Sequence, residues 1–257
     1  MLSGTPAAAP PTGAAKAQSG KTHTLSGKNL KGWETVVGDA VYTAPGESKI
    51  DAKDIETVHA KDHSELRANV KKRRIMTHNI TFKKITADHA LDCTHTCGYE
   101  FKLVEVPSKT QGDLNAQTVE GGLFIWDGRK TRLDYGAAFQ WVLNPWSEDF
   151  GAVQTWTGGK GEKGGKWVSA GKLKPDTEWH RLEIEFDFGG KKSSLEIDGK
   201  KLKCSFSGTE KPKDWGKTVD ARLQAEIVSV YPGEKSKGSL HKALFRNWSW
   251  EWKAGKE

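Results

Sequence analysis

Three carboxylates lie at two-residue spacing in one stretch of the sequence: Glu183, Glu185 and Asp187. Because side chains alternate along a β-strand, this spacing places all three on one face. Paired carboxylates hydrolyse glycosidic bonds, one as acid and the other as nucleophile or base. The residues between them are apolar, so the same alternation also fits an ordinary strand with a solvated acidic face. Glu183 and Asp187 are therefore candidate catalytic residues, with a surface role as the alternative.

Residues 126–156 combine indole rings with amide side chains. Alternation places Gln140 and Asn144 on one face of a predicted strand and Trp141 on the other, while Gln154 and Trp156 share a face of the next strand. A polar row flanked by indole suits a sugar chain, because sugar faces stack on aromatic rings and hydroxyls hydrogen-bond to amides. In the alternative interpretation, the amides satisfy backbone groups and the indoles fill the core.

Residues 221–231 form a third polar face, where Arg222, Gln224 and Glu226 alternate with apolar residues and Tyr231 closes the stretch. Such a face is normal in any sandwich. A polysaccharide lyase also uses these groups, because a cation or amide neutralises the uronate carboxylate while a Tyr or His removes the neighbouring proton. Tyr231 is therefore a third catalytic candidate. The candidate sugar-binding residues are Trp126, Gln140, Asn144, Gln154, Trp156, Arg222, Gln224 and Glu226.

The spacing of histidines and acids does not predict a metal site. His59 and His63 lie four apart, but the Glu that follows the first His of the zinc-protease motif is missing. Four further histidines have no neighbour at a tight ligand spacing: His78, His89, His95 and His180. Calcium would need acidic loop ligands, and Asp127, Asp134 and Asp149 form no Asp-x-Asp loop. The sequence thus predicts no obligatory cofactor.

The three cysteines form no zinc pattern, because Cys93 and Cys97 have no second pair. A Cys93–Cys97 disulfide would leave Cys204 free, and an odd count decides no redox compartment. No apolar run reaches the length of a membrane span, and residues 1–22 lack the apolar stretch of a signal peptide. Two interpretations of localisation stay open: a cytosolic protein, or a secreted one whose leader is missing from this sequence.

Short alternating segments separated by turn residues position these groups, and no window sustains a long helical period. Strands are predicted at residues 74–85, 99–106, 121–126, 136–143, 151–157, 179–188, 193–197, 221–231 and 244–252. Hairpin-type dipeptides punctuate them, among them Gly189-Gly190 and Asp198-Gly199. Residues 51–61 are a weak candidate for a helix. The pattern predicts an all-β fold.

At 257 residues, the chain suits one β-sandwich domain with a tail. Residues 1–22 are mostly Ala, Pro, Gly, Thr and Ser, which predicts a disordered tail before a single domain at residues 23–257.

The net charge is +7, yet 33 acidic residues are interspersed with 40 basic ones, so no specific nucleic-acid partner is predicted. The basic run at residues 71–74 is interpreted as protection of a sheet edge. Eleven Trp favour a sugar partner, although core packing accounts for most of them.

The run WHRLEIEF at residues 179–186, followed by a Gly turn and LEIDGK at residues 195–200, resembles the paired strands of concanavalin A-like lectin and glucanase domains. Residues 25–33 and 245–248 are similar to the first and last strands of jelly-roll domains in bacterial glycan-processing proteins. The resemblance covers about residues 25–253 and implies an antiparallel β-sandwich of the jelly-roll kind. Retaining glucanases of the superfamily carry Glu-x-Asp-x-Glu on one strand, and Glu183-x-Glu185-x-Asp187 departs from it at two positions. The signature segments of jelly-roll alginate lyases are absent from the sequence.

The leading functional hypothesis is a glycan-binding domain that holds an oligo- or polysaccharide across its concave sheet. A polysaccharide lyase or glycoside hydrolase acting in the same groove is the first alternative, and a structural or adhesive protein without a sugar site is the second. The oligomeric state is left open. The arrangement of the polar faces on the two sheets is what these hypotheses depend on.

Overall fold

The computed structural model describes residues 21–37, 52–69, 76–86, 93–108, 116–126, 135–157, 166–204, 219–230 and 240–254. Within these ranges, the chain forms β-strands, one 3-10 turn at Ala52–Asp54 and no α-helix. The strands are β1 (Thr22–Gly27), β2 (Glu34–Val37), β3 (Ile55–His59), β4 (Ser64–Asn69), β5 (Met76–Thr86), β6 (Cys93–Leu103), β7 (Ala116–Trp126), β8 (Tyr135–Val142), β9 (Ala152–Thr157), β10 (Lys166–Lys172), β11 (His180–Asp187), β12 (Lys192–Ile197), β13 (Lys200–Lys201), β14 (Asp220–Val230) and β15 (Leu240–Ala254). The predicted all-β class is confirmed.

These strands form two antiparallel sheets. One has eight strands in the order β13-β12-β11-β6-β15-β4-β3, with β1 also paired to β15. The other has seven strands in the order β10-β9-β8-β7-β14-β5-β2. The chain crosses repeatedly from one sheet to the other, for example between β4 and β5 and between β13 and β14. The architecture is an antiparallel β-sandwich, as the sequence predicts.

The first and last strands of the sandwich pair with each other, from Thr22↔Lys253 to Gly27↔Trp248. Thr22, the last residue of the predicted tail, thus already belongs to β1. Residues 1–20 and the basic run at residues 71–74 lie outside the described residues. The described part of the chain contains no helix long and apolar enough to cross a membrane.

Aromatic rings fill the space between the two sheets. Phe101 of β6 packs against Phe139 and Trp141 of β8, with ring centroids 5.3 and 5.8 Å apart. Alternation decides which side chains of β8 enter this core: Trp141 is fully buried, whereas Gln140 points to the outer face of the sheet. The buried apolar area of these rings is a main source of the stability of the fold.

The predicted helix at residues 51–61 is wrong. After the 3-10 turn, residues 55–59 form β3, which pairs with β4 from Ile55↔Ala68 to His59↔Ser64. The stretch contains the β-branched residues Ile55, Thr57 and Val58, which suit a pleated surface. A helix of this length is marginal in isolation, so pairing with a neighbouring strand decides the outcome.

A Cys93–Cys97 disulfide is also excluded. Both cysteines are free and buried, and both lie on β6 four residues apart. Four residues of a strand span roughly 13 Å, whereas a disulfide needs Cα atoms within about 7 Å. Cys204 is free as well.

Candidate functional site

Five polar side chains form one row across the outer face of the seven-stranded sheet, which we call the polar row. Its members are Glu226 of β14, Glu120 of β7, Gln140 of β8, Gln154 of β9 and Ser169 of β10. The strand register places each member directly opposite the next. Since neighbouring strands lie about 4.8 Å apart, the row is roughly 19 Å long. This length suits an extended ligand.

The polar row is enclosed at its β14 end and open at its β10 end. Glu226 is 3% exposed, the three middle members are half-buried and Ser169 is exposed. Side chains on the outer face of an antiparallel sheet commonly contact water, so a buried Glu in this position is unusual. The enclosure of the polar groups thus increases from the β10 end to the β14 end.

Small residues and indole rings flank the polar row on one side. Gly122 of β7 and Ala138 of β8 lie opposite each other, with Gln224 next to Gly122 on β14. Further along the same side, Trp156 and Trp167 pair across β9 and β10 with their ring centroids 5.4 Å apart in an edge-to-face arrangement. Gly122 has φ +153°, and a Cβ there would stand 2.2 Å from a backbone oxygen of β8. The absence of large side chains between Gln224 and Trp156 leaves room beside the row.

Three ionisable groups converge at the enclosed end of the polar row; we call them the His78–Glu120–Glu226 cluster. Glu120 and Glu226 are directly opposite in register, and one ligand atom from each residue lies within 4.8 Å of the others. His78 Nδ1 contacts Glu226 Oε1. Gln224 Nε2 donates to Glu226 Oε2, and Thr118 Oγ1 donates to Glu120 Oε1 at 2.6 Å. These contacts hold both carboxyls in place.

Burial shifts the pKa of each member of the cluster towards its neutral form. It lowers the pKa of His78 to about 3. It raises the pKa of Glu120 to about 7, although the hydrogen bond from Thr118 acts in the opposite direction. The pKa of Glu226 lies well above its ordinary value, first because the carboxyl is buried and then because it faces Glu120. Two carboxyls this close share protons and do not both ionise readily.

Hydrogen bonds through the core hold the two strands beneath the cluster. Tyr99 of β6 donates its hydroxyl to the backbone oxygen of Gln224 at 3.0 Å. Gly121 makes room for this contact, because a Cβ there would stand 1.9 Å from the Tyr99 hydroxyl oxygen. His241 of β15 donates from Nε2 to the backbone oxygen of Thr118 at 3.0 Å. These two bonds from the eight-stranded sheet thus fix the backbone of β14 and β7 two residues away from Glu226 and Glu120.

Five of the eight sugar-binding candidates meet on this outer face: Gln140, Gln154, Trp156, Gln224 and Glu226. Gln140 Nε2 donates to Gln154 Oε1 at 3.0 Å, so the two amides already form a continuous polar surface. Their role in binding sugar stays a prediction.

Arg222 and Trp126 lie on the same face, nearer its margin. The guanidinium carbon of Arg222 is 4.3 Å from the Trp126 ring centroid and 4.5 Å from that of Phe82. Its Nε donates to Asp220 Oδ1 at 2.6 Å, which neutralises the cation. This Arg is stacked and ion-paired within the protein.

The other sequence-predicted residues lie elsewhere. Asn144 follows the end of β8, and its side-chain oxygen accepts a hydrogen bond from the backbone of Gln117, which is the alternative backbone role. Tyr231 lies outside the described residues. Glu183 and Asp187 belong to the outer face of the eight-stranded sheet, on the opposite side of the sandwich from the polar row.

Within the part of the chain that the structure describes, no calcium candidate belongs to the cluster. Asp149 belongs to the turn between β8 and β9, where its backbone N–H donates to Ser147 Oγ at 3.1 Å. Asp127 and Asp134 fall outside the described ranges. The group that could hold a metal ion is instead the His78–Glu120–Glu226 cluster.

Sequence reasoning missed two members of this cluster, His78 and Glu120. Glu120 precedes a Gly-Gly pair, and the predicted strand began only at residue 121. His78 lies 42 residues from Glu120 and 148 from Glu226, so no local spacing connects them. Extension of the predicted strand by alternation would have placed Glu120 on the outer face, but only the strand order brings it opposite Glu226.

Neither a protein-family profile nor a curated protein sequence matches this chain. Among solved structures, the carbohydrate recognition domain of Emp46p in its potassium-bound form is similar at 9% identity and a TM-score of 0.48, covering 77% of this chain and 85% of that one. An endo-β-1,4-glucuronan lyase from the fungus Trichoderma reesei matches at 10% identity and a TM-score of 0.49, covering 91% and 95%. Alginate lyase AlyC3 in complex with dimannuronate matches at 13% identity and a TM-score of 0.46, covering 88% and 91%. These likenesses concern the fold alone.

Proposed function

We propose that the outer face of the seven-stranded sheet binds an oligo- or polysaccharide along the polar row. The observation that carries the proposal is the unbroken sequence of polar side chains across five strands, with two indoles beside it. Amide side chains donate and accept hydrogen bonds at once, which suits the hydroxyls of a sugar. Trp156 and Trp167 offer aromatic surface for the apolar faces of the rings.

Cleavage of the bound glycan in the same groove is a second candidate, favoured by the His78–Glu120–Glu226 cluster. Buried ionisable groups cost free energy, and binding by amides and indoles does not require them. Strongly shifted pKa values among groups in a cleft are typical of catalytic sites. Carboxyls and an imidazole at the end of a row of sugar-binding side chains could serve hydrolysis or uronate elimination.

A panel of neutral and uronate polysaccharides tests both candidates, provided that retention on the immobilised polymer and the release of reducing or unsaturated ends are measured together. Gln154→Ala should leave the fold intact, because its side chain is only half-buried on the outer face. It should weaken retention by about 1 to 3 kcal/mol, or roughly 5- to 150-fold, because a sugar hydroxyl loses its partner.

Glu185→Ala is the matched control, since Glu185 is exposed on the outer face of the other sheet. Retention by this variant should equal that of the wild type. The proposal fails if the wild type retains no polysaccharide of the panel, or if Gln154→Ala and Glu185→Ala behave alike. A structural or adhesive role then takes its place.

A further inference from the structure

We propose that the His78–Glu120–Glu226 cluster binds one divalent transition-metal ion of the Zn²⁺ or Mn²⁺ class. A nitrogen of His78 and one carboxylate oxygen from each Glu lie within 4.8 Å of one another. Ligands at about 2.0 to 2.2 Å from a common ion are separated by roughly 3 to 4 Å, so small side-chain rotations bring the three atoms onto it. Two of the three side chains, those of His78 and Glu226, are at least 95% buried, which limits their contact with water.

A bound cation would also compensate the charge of the two carboxylates in their ionised form. Two basic side chains lie on the same face of β14 and β5, but Arg222 is ion-paired with Asp220 at 2.6 Å and Lys84 with Glu34 at 2.8 Å. Within the described ranges, no Lys or Arg forms an ion pair with either carboxyl of the cluster. An enclosed pair of carboxylates without positive charge is costly, and a divalent cation compensates both at once.

Gln224 gives a second, independent indication of a ligand. This amide is 2% exposed, and its Nε2 donates to Glu226 Oε2. Its Oε1 accepts no hydrogen bond from the part of the chain that the structure describes. Buried acceptors are nearly always paired in folded proteins. A metal-bound water gives this oxygen its donor, while the amide nitrogen orients the ligating carboxylate, as polar neighbours of metal ligands commonly do.

The ligand set selects the kind of metal. Ca²⁺ and Mg²⁺ prefer oxygen ligands alone, whereas one imidazole with two carboxylates suits Zn²⁺ or Mn²⁺. Three protein ligands leave a coordination position open, as in catalytic zinc sites. Gln140 follows Glu120 in the polar row, so the ion would lie at the enclosed end of that row. A hydroxyl or carboxylate of a bound glycan would reach the ion there.

The test titrates the metal-stripped full chain with Mn²⁺ in the absence of any glycan. Electron paramagnetic resonance counts free Mn²⁺, and calorimetry with Zn²⁺ provides a second measurement. We expect one saturable Mn²⁺ site and a rise in melting temperature on binding. Glu226→Gln and Glu120→Gln should each weaken Mn²⁺ binding at least tenfold, because each replaces an anionic ligand with a neutral amide of similar shape.

Glu185→Gln on the exposed face of the other sheet is the control, and it should bind like the wild type. Should Glu226→Gln fail to fold, as judged by circular dichroism, the half-buried Glu120→Gln still decides the question. Absence of a saturable site, or equal affinity in Glu120→Gln and Glu185→Gln, overturns the proposal. Because no glycan is present, failure of the metal site and failure of sugar binding are separate results.

Discussion

The outer faces of the two sheets carry their acidic residues in opposite ways. On the eight-stranded sheet, the Glu183 side chain is 56% exposed and lies 3.9 Å from Arg181. On the seven-stranded sheet, Glu226 is 3% exposed and its carboxyl contacts an imidazole and an amide. Both residues lie on regular strands and alternate with buried apolar residues.

This difference separates a solvated acidic face from a candidate site. An exposed ion pair contributes little to stability, and the solubility of the protein is enough to explain it. A buried carboxyl opposite a second one is unfavourable by itself, and such conflicts between local preference and fold concentrate at functional sites. Burial, and not the spacing of carboxylates along a strand, therefore points to the cluster.

The largest effect that we expect distinguishes the two faces of β8. Trp141 is fully buried against Phe101, and its Nε1 donates to the backbone oxygen of Leu173 at 3.0 Å. Trp141→Ala should lower the free energy of unfolding in urea by roughly 3 to 5 kcal/mol. Gln140→Ala should change it by less than about 0.5 kcal/mol while weakening glycan retention. If Gln140→Ala unfolds the protein and Trp141→Ala only abolishes retention, the comparison between core and outer face is broken.

An acid titration sharpens the contrast between buried and exposed groups. Burial lowers the pKa of His241 to about 4 from 6.5, against the hydrogen bond to Thr118, which raises it. Well above pH 6.5, the ring is neutral in both the folded and the unfolded protein, so its titration does not change stability. As the pH falls from 6.5 to 4, the unfolded chain takes up a proton that the folded protein does not, so stability is lost. At 1.36 kcal/mol per pKa unit, the loss reaches about 3 kcal/mol.

His241→Gln keeps a donor for Thr118 and removes the titration. Urea denaturation at pH 7 and pH 4 should therefore show a smaller loss of stability in the variant than in the wild type. Equal losses would mean that His241 is protonated in the folded protein, and that the interior between β15 and β7 is less enclosed than the structure shows.

The sequence predicted most of the fold because alternation and turn residues are local signals. Long, strongly alternating strands such as β5, β11 and β14 were found within two residues of their ends. The missed strands are mainly short strands at the sheet margins, such as β2 and β10, and the polar strand β4. Their formation depends on a partner far away in the sequence, so propensity alone does not reveal them.

The candidate site could be predicted only in part, for the same physical reason. Alternation correctly placed Gln140 on the face opposite Trp141, and Gln154 on the same face as Trp156. It also placed Glu183 and Asp187 on one face, but could not tell whether that face is exposed. His78 and Glu120 enter the site through strand order, since β14 lies between β5 and β7 in the sheet although it comes long after both strands in the sequence.

The smallest effect that we expect comes from the carboxylates of β11. Glu183→Gln and Asp187→Asn should leave stability within about 0.5 kcal/mol of the wild type, because both side chains lie at the surface. Asp187 Oδ1 accepts a hydrogen bond from Gly190 N at 2.7 Å, and the Asn side chain retains that acceptor. Glycan retention and any release of reducing or unsaturated ends should be unchanged in both variants.

The same assay applied to Glu226→Gln is the comparison for this result, because both substitutions replace a carboxyl with its amide, on opposite faces of the sandwich. If Glu183→Gln abolishes turnover while binding persists, the exposed strand is the catalytic one, as paired carboxylates on a single strand would allow. The buried cluster would then be a structural feature, and exposure would no longer distinguish the two faces. If only Glu226→Gln lowers the release of reducing or unsaturated ends, glycan cleavage takes place at the enclosed end of the polar row.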